Sequence, residues 1–194
     1  MRSLPLTTST LIAAYQQGIF PMDVDGELHW FSPDPRAILP VDGFRVSRTL
    51  RQRCRQGTYK IRIDERFTEV MRACADRSEG TWISDAIVDA YTKLHTLGLA
   101  HSVEAYDADG LAGGLYGVTL GGAFFGESMF HRRRDASKVA LVALVERMRE
   151  RGYRLLDVQF TTPHLEQFGV IEIPRAEYLD RLAKATGTRC RFAD

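Results

Sequence analysis

Long apolar runs are missing from this chain: it contains no stretch of about eighteen apolar residues, so a membrane span is not expected. Residues Met1 to Ile12 lack the succession of charged, apolar and small residues that marks a signal peptide. A cytoplasmic location is therefore expected. Cysteine is scarce, with Cys54, Cys74 and Cys190 widely spaced and no CxxC pair, which argues against both a disulfide framework and a structural zinc site. The five histidines, His29, His95, His101, His131 and His164, form no HExxH or other tight ligand spacing, so no metal centre is expected. There is no GxGxxG and no GxxxxGK[ST], which removes the usual dinucleotide and triphosphate cradles. Ser102, Ser128 and Ser137 lack a nucleophile-elbow context.

What remains is a chain of 194 residues, 44% hydrophobic and +1 in net charge, long enough for one domain or one and a half with a real core. Lysine is nearly absent, because 22 of the 26 basic residues are arginine. Arg45, Arg48, Arg51, Arg53 and Arg55 crowd one segment, and Arg132, Arg133 and Arg134 are consecutive. Arginine binds phosphate bidentately and stacks on bases, so the clusters fit a nucleic-acid backbone; solvated faces explain them equally well on composition alone.

The stretch Phe20 to Pro40 is rich in proline and aromatics and reads as irregular. Thr8 or Ser9 can cap a short helix before it, and Ser47 can cap an Arg-bearing helix after it. Residues 1–57 are thus expected to form a small N-terminal subdomain, and 58–194 the main one. From Tyr59 onward the pattern predicts a strand, helices over about 65–75 and 84–97, three strands over 101–106, 111–119 and 123–130, and a long amphipathic helix over 136–151. A strand over 154–160, a turn near 164–168, a strand over 170–173 and a helix opened by Pro174 complete an α+β sheet protein.

Three places carry candidate chemistry. Strand alternation over Arg154 to Phe160 puts Asp157 and Gln159 on one face and Leu156, Val158 and Phe160 on the other. The polar pair is either a satisfied structural hydrogen bond or a carboxylate orienting an amide toward a substrate amine. Glu127 is a lone acid in the aromatic run Phe124–Phe130 beside Gly126; it either guards a strand edge or binds an amine in an apolar pocket. Trp82 precedes the Ser84 helix on a loop, as a packing staple or a platform for a base.

Taken in order, Ala14-Tyr-Gln-Gln-Gly-Ile-Phe-Pro21, Trp30-Phe-Ser-Pro-Asp-Pro-Arg36, Gly80-Thr-Trp-Ile83, His101-Ser-Val-Glu104, Gly113-Gly-Leu-Tyr-Gly-Val118, Gly126-Glu-Ser-Met-Phe130, Ala136-Ser-Lys138 and Leu156-Asp-Val-Gln159 resemble the leucyl/phenylalanyl-tRNA–protein transferase family. The resemblance implies a C-terminal domain of the GNAT-like (acyl-CoA N-acyltransferase-like) fold that uses no coenzyme A or other cofactor, behind a small α/β N-terminal subdomain. It also implies transfer of Leu, less well Phe or Met, from Leu-tRNA or Phe-tRNA to the N-terminal Lys or Arg of acceptor proteins, tagging them for N-end rule degradation. By the same resemblance the catalytic residues are Asp157, Gln159 and Glu127, the last near the substrate amino group. The aminoacyl side chain falls among Leu115, Phe124, Met129, Leu141, Leu144, Met148 and Leu156, with Trp82 stacking on the terminal adenine. Arg48, Arg51, Arg53 and Arg55 face the tRNA acceptor stem. The chain departs from the family at Met22, where an aromatic is usual, and it starts fourteen residues before Tyr15, so a reduced N-terminal domain is expected.

An aminoacyl ester is already activated, which makes the reaction chiefly a problem of proximity. In this reading Asp157 is the electrostatic partner and proton sink and Gln159 the positioner, while Glu127 or Asp157 supplies the negative charge that selects a basic acceptor. Two rivals stand beside it. An acyl-CoA-dependent N-acetyltransferase needs a pyrophosphate loop, where this chain has Arg132-Arg-Arg-Asp-Ala-Ser-Lys138. A non-catalytic tRNA-binding module would use the same arginines and aromatics.

Overall fold

A computed structural model describes residues 5–78 and 80–193. Its elements are α1 (Thr8–Gln16), β1 (Phe20–Val24), β2 (Glu27–Phe31), β3 (Arg36–Leu39), α2 (Arg48–Arg55), β4 (Lys60–Ile63), α3 (Phe67–Ala75), α4 (Asp85–Thr96), β5 (Ala100–Asp107), β6 (Gly110–Leu120), β7 (Ala123–His131), α5 (Ala136–Glu150), β8 (Leu155–Gln159), α6 (Pro163–Glu166), β9 (Ile171–Ile173) and α7 (Arg175–Thr186). Seven strands form one mixed sheet in the order β4-β5-β6-β7-β8-β3-β9, and β1 and β2 form a separate hairpin. Helices cover both faces, giving a mixed α/β architecture with a central sheet.

Strand alternation divides the core. Tyr116, Val118, Phe125 and Leu155 face α1, α3, α4 and α7, whereas Leu115, Phe124 and Leu156 face α5, as a pleat of period two requires. Helix α5 carries Val139, Ala140, Leu141, Leu144, Val145 and Met148 in that second layer, and it stops where Gly152 takes φ 76. Ser47 caps α2 by accepting the Leu50 N–H at 3.2 Å, and Thr7, rather than Thr8 or Ser9, caps α1. Gly117 is opposite Gly126, and a Cβ there would come within 2.2 Å of the Phe125 carbonyl oxygen, so β6 and β7 can pack at this point only without a side chain.

Two expectations are corrected. The stretch from Phe20 to Pro40 is not irregular: it holds the β1–β2 hairpin and β3. Strand β3 pairs with β8 and β9 inside the main sheet, so a boundary at residue 57 cuts through one sheet. The physical reason is burial: all four residues of β3 are buried, and so short an apolar strand shows no alternation.

Candidate active site

A cavity of about 610 Å³ opens where β7 and β8 part. These parallel strands pair only at Ala123–Leu155, Phe124–Leu156 and Phe125–Asp157. Beyond that point Gly126, Glu127 and Ser128 line one wall and Val158, Gln159 and Phe160 the other. Each strand carries a bulge at the parting. Against β6, Tyr116 pairs with Ser128 and Gly117 with Gly126, leaving Glu127 as the extra residue. Against β3, Ala37 pairs with Gln159 and Ile38 with Asp157, leaving Val158 extra. A bulge re-aims side chains, and here it breaks the expected alternation. Gln159, at φ 60, joins Leu156, Val158 and Phe160 on the cavity wall, while Asp157 is absent from it.

Asp157 is instead sealed beneath the sheet at 0% exposure. Arg36 Nε donates to its Oδ1 at 2.9 Å and Arg36 Nη2 to its Oδ2 at 2.6 Å. Tyr178 donates to Oδ2 at 2.9 Å, and the Gln159 backbone N–H to Oδ1 at 3.0 Å. Arg36 is equally buried; its Nη1 donates to the Gly18 carbonyl, and its guanidinium sits over the Phe20 and Tyr178 rings. Four donors on one carboxylate leave it no lone pair aimed at a substrate. The expected role of proton sink, directly or through water, therefore does not fit Asp157; it anchors the backbone of Gln159. The side-chain Nε2 of Gln159 is buried without a partner among the described residues on the cavity wall.

Glu127 faces the same space. Tyr15 donates to its Oε1 at 2.7 Å, and Tyr15 in turn is hydrogen-bonded to Tyr91. Burial pushes the Glu127 carboxyl up to about 8; the Tyr15 hydrogen bond opposes this, Asp157 adds to it and Arg36 opposes it. Burial likewise holds Tyr15 and Tyr91 well above their ordinary values, so both are neutral donors and acceptors.

The apolar wall is assembled from Leu115, Met129, Leu141, Leu144 and Leu156, with Trp82 and Met22 also lining the cavity. Two expected wall residues lie behind it. Phe124 and Met148 are both 0% exposed in the layer under α5; Phe124 packs on Phe192 with ring centroids 5.2 Å apart. They support the wall without forming its surface. Arg48, Arg51 and Arg55 are exposed on α2 and Arg53 is half-buried, its Nε 3.8 Å from Asp135 at the start of α5. Helix α2 packs beside α5, and none of its arginines lines the cavity.

Residues 38–183 match the leucyl/phenylalanyl-tRNA protein transferase family, and residues 5–34 match that family's N-terminal domain. The chain belongs to the leucyl/phenylalanyl-tRNA–protein transferase family. It is 58% identical over 190 residues to the leucyl/phenylalanyl-tRNA–protein transferase of Rubrobacter xylanophilus, covering 97% of this chain and 99% of that one. To the same-named protein of Herpetosiphon aurantiacus it is 57% identical over 188 residues, covering 96% and 98%. Among solved structures, L-PGS from Bacillus licheniformis is similar with a TM-score of 0.46 at 14% identity, over 81% of this chain and 55% of that one. As a member of this family the transferase is an aminoacyltransferase with aminoacyl-tRNA as donor and protein as acceptor. Among the described residues no helix is long and apolar enough to cross a membrane.

Several residues of this transferase's site escaped the sequence reading: Arg36, Tyr15, Tyr178, Asp76 and Arg77. Arg36 had a signal, since an arginine heading the apolar Ala-Ile-Leu run needs a buried acid. Arg77 had none; its Nη2 reaches Ser128 Oγ at 3.0 Å and the Met129 carbonyl at 3.3 Å across a separation only the fold creates.

Proposed function

We propose that this chain moves Leu, and less well Phe or Met, from aminoacyl-tRNA to the N-terminal Lys or Arg of acceptor proteins in the cytoplasm, marking them for N-end rule degradation. We read its sheet as GNAT-like, with parallel strands β7 and β8 parting around the site, and no cofactor enters the chemistry. The observation that carries the reading is a buried, unpartnered amide, Gln159 Nε2, on the wall of a cavity lined by leucine and methionine.

The reaction is aminolysis of an ester. The acceptor's α-amine attacks the aminoacyl carbonyl, a C–N bond forms, the ester C–O bond breaks, the nitrogen gives up a proton and the departing ribose oxygen takes one. Gln159 Nε2 in its present orientation donates to the carbonyl oxygen as charge builds there, the kind of stabilisation that is typically worth about 2.7–4 kcal/mol in acyl transfer. Glu127 receives the amine's proton. Its carboxyl, pushed up to about 8, matches an α-amine of about 8, so the proton passes between them with little change in free energy. The leucine-lined wall takes a side chain unbranched at Cβ, and Trp82 at the same cavity offers a stacking face to the terminal adenine. Arg48, Arg51, Arg53 and Arg55 on α2 lie to one side as contacts for acceptor-stem phosphates.

The test offers radiolabelled Leu-tRNA with peptides beginning Lys, Arg, Asp or Ala, beside a Gln159→Ala control. Labelled product with Lys and Arg peptides, lost in the control, is expected. Transfer to all four alike, or acetyl transfer from acetyl-CoA with none from tRNA, overturns the reading.

A further inference from the structure

A basic first residue needs a fixed negative charge to select it, and the acids Asp157 and Glu127 are both committed. Asp157 is sealed under four donors, and Glu127 faces the reacting amine itself. Among the described residues lining the cavity, one other carboxylate remains, that of Asp76. It is exposed at the rim as the C-cap of α3. An acid there opposes the helix dipole, whose C-terminal end favours cations, and its side chain makes no hydrogen bond or ion pair among the described residues. The fold gains nothing from it. Its neighbour Arg77 does not neutralise it by pairing: Arg77 turns to the Cys74 and Met129 carbonyls and to Ser128 Oγ. Those same contacts hold the end of α3 against β7 directly after Glu127.

We infer that Asp76 is the specificity determinant for the acceptor, receiving the ammonium or guanidinium of its first side chain while the α-amine lies at Glu127. Lysine and arginine carry a cation at the end of a long side chain that a carboxylate on the same cavity can pair, and a short or acidic side chain offers it none. The inference rests on the acceptor preference proposed above.

The experiment measures kcat/KM for leucyl transfer to matched peptides beginning Lys, Arg, Ala and Glu, using the parent, Asp76→Asn and Asp76→Lys. In the parent, Lys and Arg peptides lead and their advantage over Ala shrinks with added salt. In Asp76→Asn the Lys-to-Ala ratio falls about 3- to 10-fold, chiefly through KM, and loses its salt dependence. In Asp76→Lys the order reverses, with the Glu peptide rising above Lys. Ratios that stay within about twofold of the parent in both variants overturn the assignment to Asp76 while leaving the acceptor preference intact. A parent that does not favour Lys and Arg overturns the preference itself, and the assignment with it.

Discussion

Asp157→Asn separates an anchor from a base. The substitution keeps the side chain's shape but removes one charge of a pair in which both members are 0% exposed. Arg36 is left buried with a guanidinium and no counter-ion, and the new amide presents an NH2 to two donors, Arg36 and Tyr178 if it takes the place of Oδ2 or Arg36 and the Gln159 N–H if it takes that of Oδ1. Breaking a buried pair from one side costs about 3–5 kcal/mol. For a chain of this length about 1 kcal/mol corresponds to about 2–4 °C in Tm, so a fall of roughly 6–20 °C is expected, with a lower urea midpoint at unchanged m. The free energy lost is a large part of an ordinary stability of about 5–15 kcal/mol. Activity at a temperature where the variant remains folded should also fall, because the Gln159 N–H loses its charged acceptor. The decisive comparison is with Gln159→Ala, which removes the amide from the wall and leaves the pair whole. Gln159→Ala should slow transfer about 10²- to 10³-fold with Tm nearly unchanged. An Asp157→Asn protein with the parent's urea midpoint and no activity would refute the anchor and restore the carboxylate as the chemical group.

Glu127→Gln tests the raised carboxyl in two ways. The folded state holds the proton up to about 8 while the unfolded chain releases it near 4.3, so between those values the unfolded state carries fewer protons and the parent loses stability as pH rises. Glu127→Gln should therefore gain on the parent in urea midpoint from pH 5 to pH 9, and a constant difference would count against the shift. Its transfer rate should fall about 10²- to 10⁴-fold and lose the limb of the pH profile that belongs to this carboxyl. Met129→Ala and Leu141→Ala should raise transfer of Ile relative to Leu by opening the wall; Leu141, 3% exposed, should also cost about 2–5 kcal/mol. Unchanged Ile-to-Leu ratios in both would sink the steric reading. Replacing Arg48, Arg51 and Arg55 together by Gln should raise KM for aminoacyl-tRNA and flatten its salt dependence by up to about 0.7–0.9 logarithmic units per lost phosphate contact. Because all three are exposed, Tm should hold, and an unchanged salt slope would remove α2 from the RNA path.

The long periodic elements were legible because their signals are local. Helix α5 was expected over 136–151 and runs Ala136–Glu150, since its apolar spacing and terminal glycine act within one segment. The three strands β5 to β7 were expected over 101–106, 111–119 and 123–130 and lie at 100–107, 110–120 and 123–131. Strand β3 was not legible: Arg-Ala-Ile-Leu is buried throughout, a pattern produced by neighbours on both sides and both faces. At the site, Gln159, Glu127, Trp82 and five of the seven expected wall residues come together on one cavity. Phe124 and Met148 were misplaced by one layer, because helical or strand spacing identifies an apolar position without saying what covers it.

The misplacement of Asp157 has a more specific cause, and it bears on how the site works. Alternation puts residues 157 and 159 on one face only while the strand keeps its register, and the bulge at Val158 shifts that register by one residue. A second bulge, at Glu127, stands across the parting strands, so the two side chains proposed for the chemistry are both aimed by irregularities that leave no mark in composition. The bend at Gln159 is strained: a non-glycine residue at φ 60 costs on the order of 1–2 kcal/mol. Its backbone N–H is held by Asp157, and Asp157 by Arg36 and Tyr178 from β3 and α7. The strand, the helix and the carboxylate thus offset that strain from three directions, with free energy drawn from an interior ion pair. On the proposed mechanism Arg36, which lines no part of the cavity, acts on Gln159 only through Asp157, by two hydrogen-bonded steps. With its backbone held, the Gln159 side chain starts from a fixed point on the cavity wall, and in the proposed reaction its donor has less to reorganise when the ester carbonyl arrives, which is where preorganised donors gain their advantage over water.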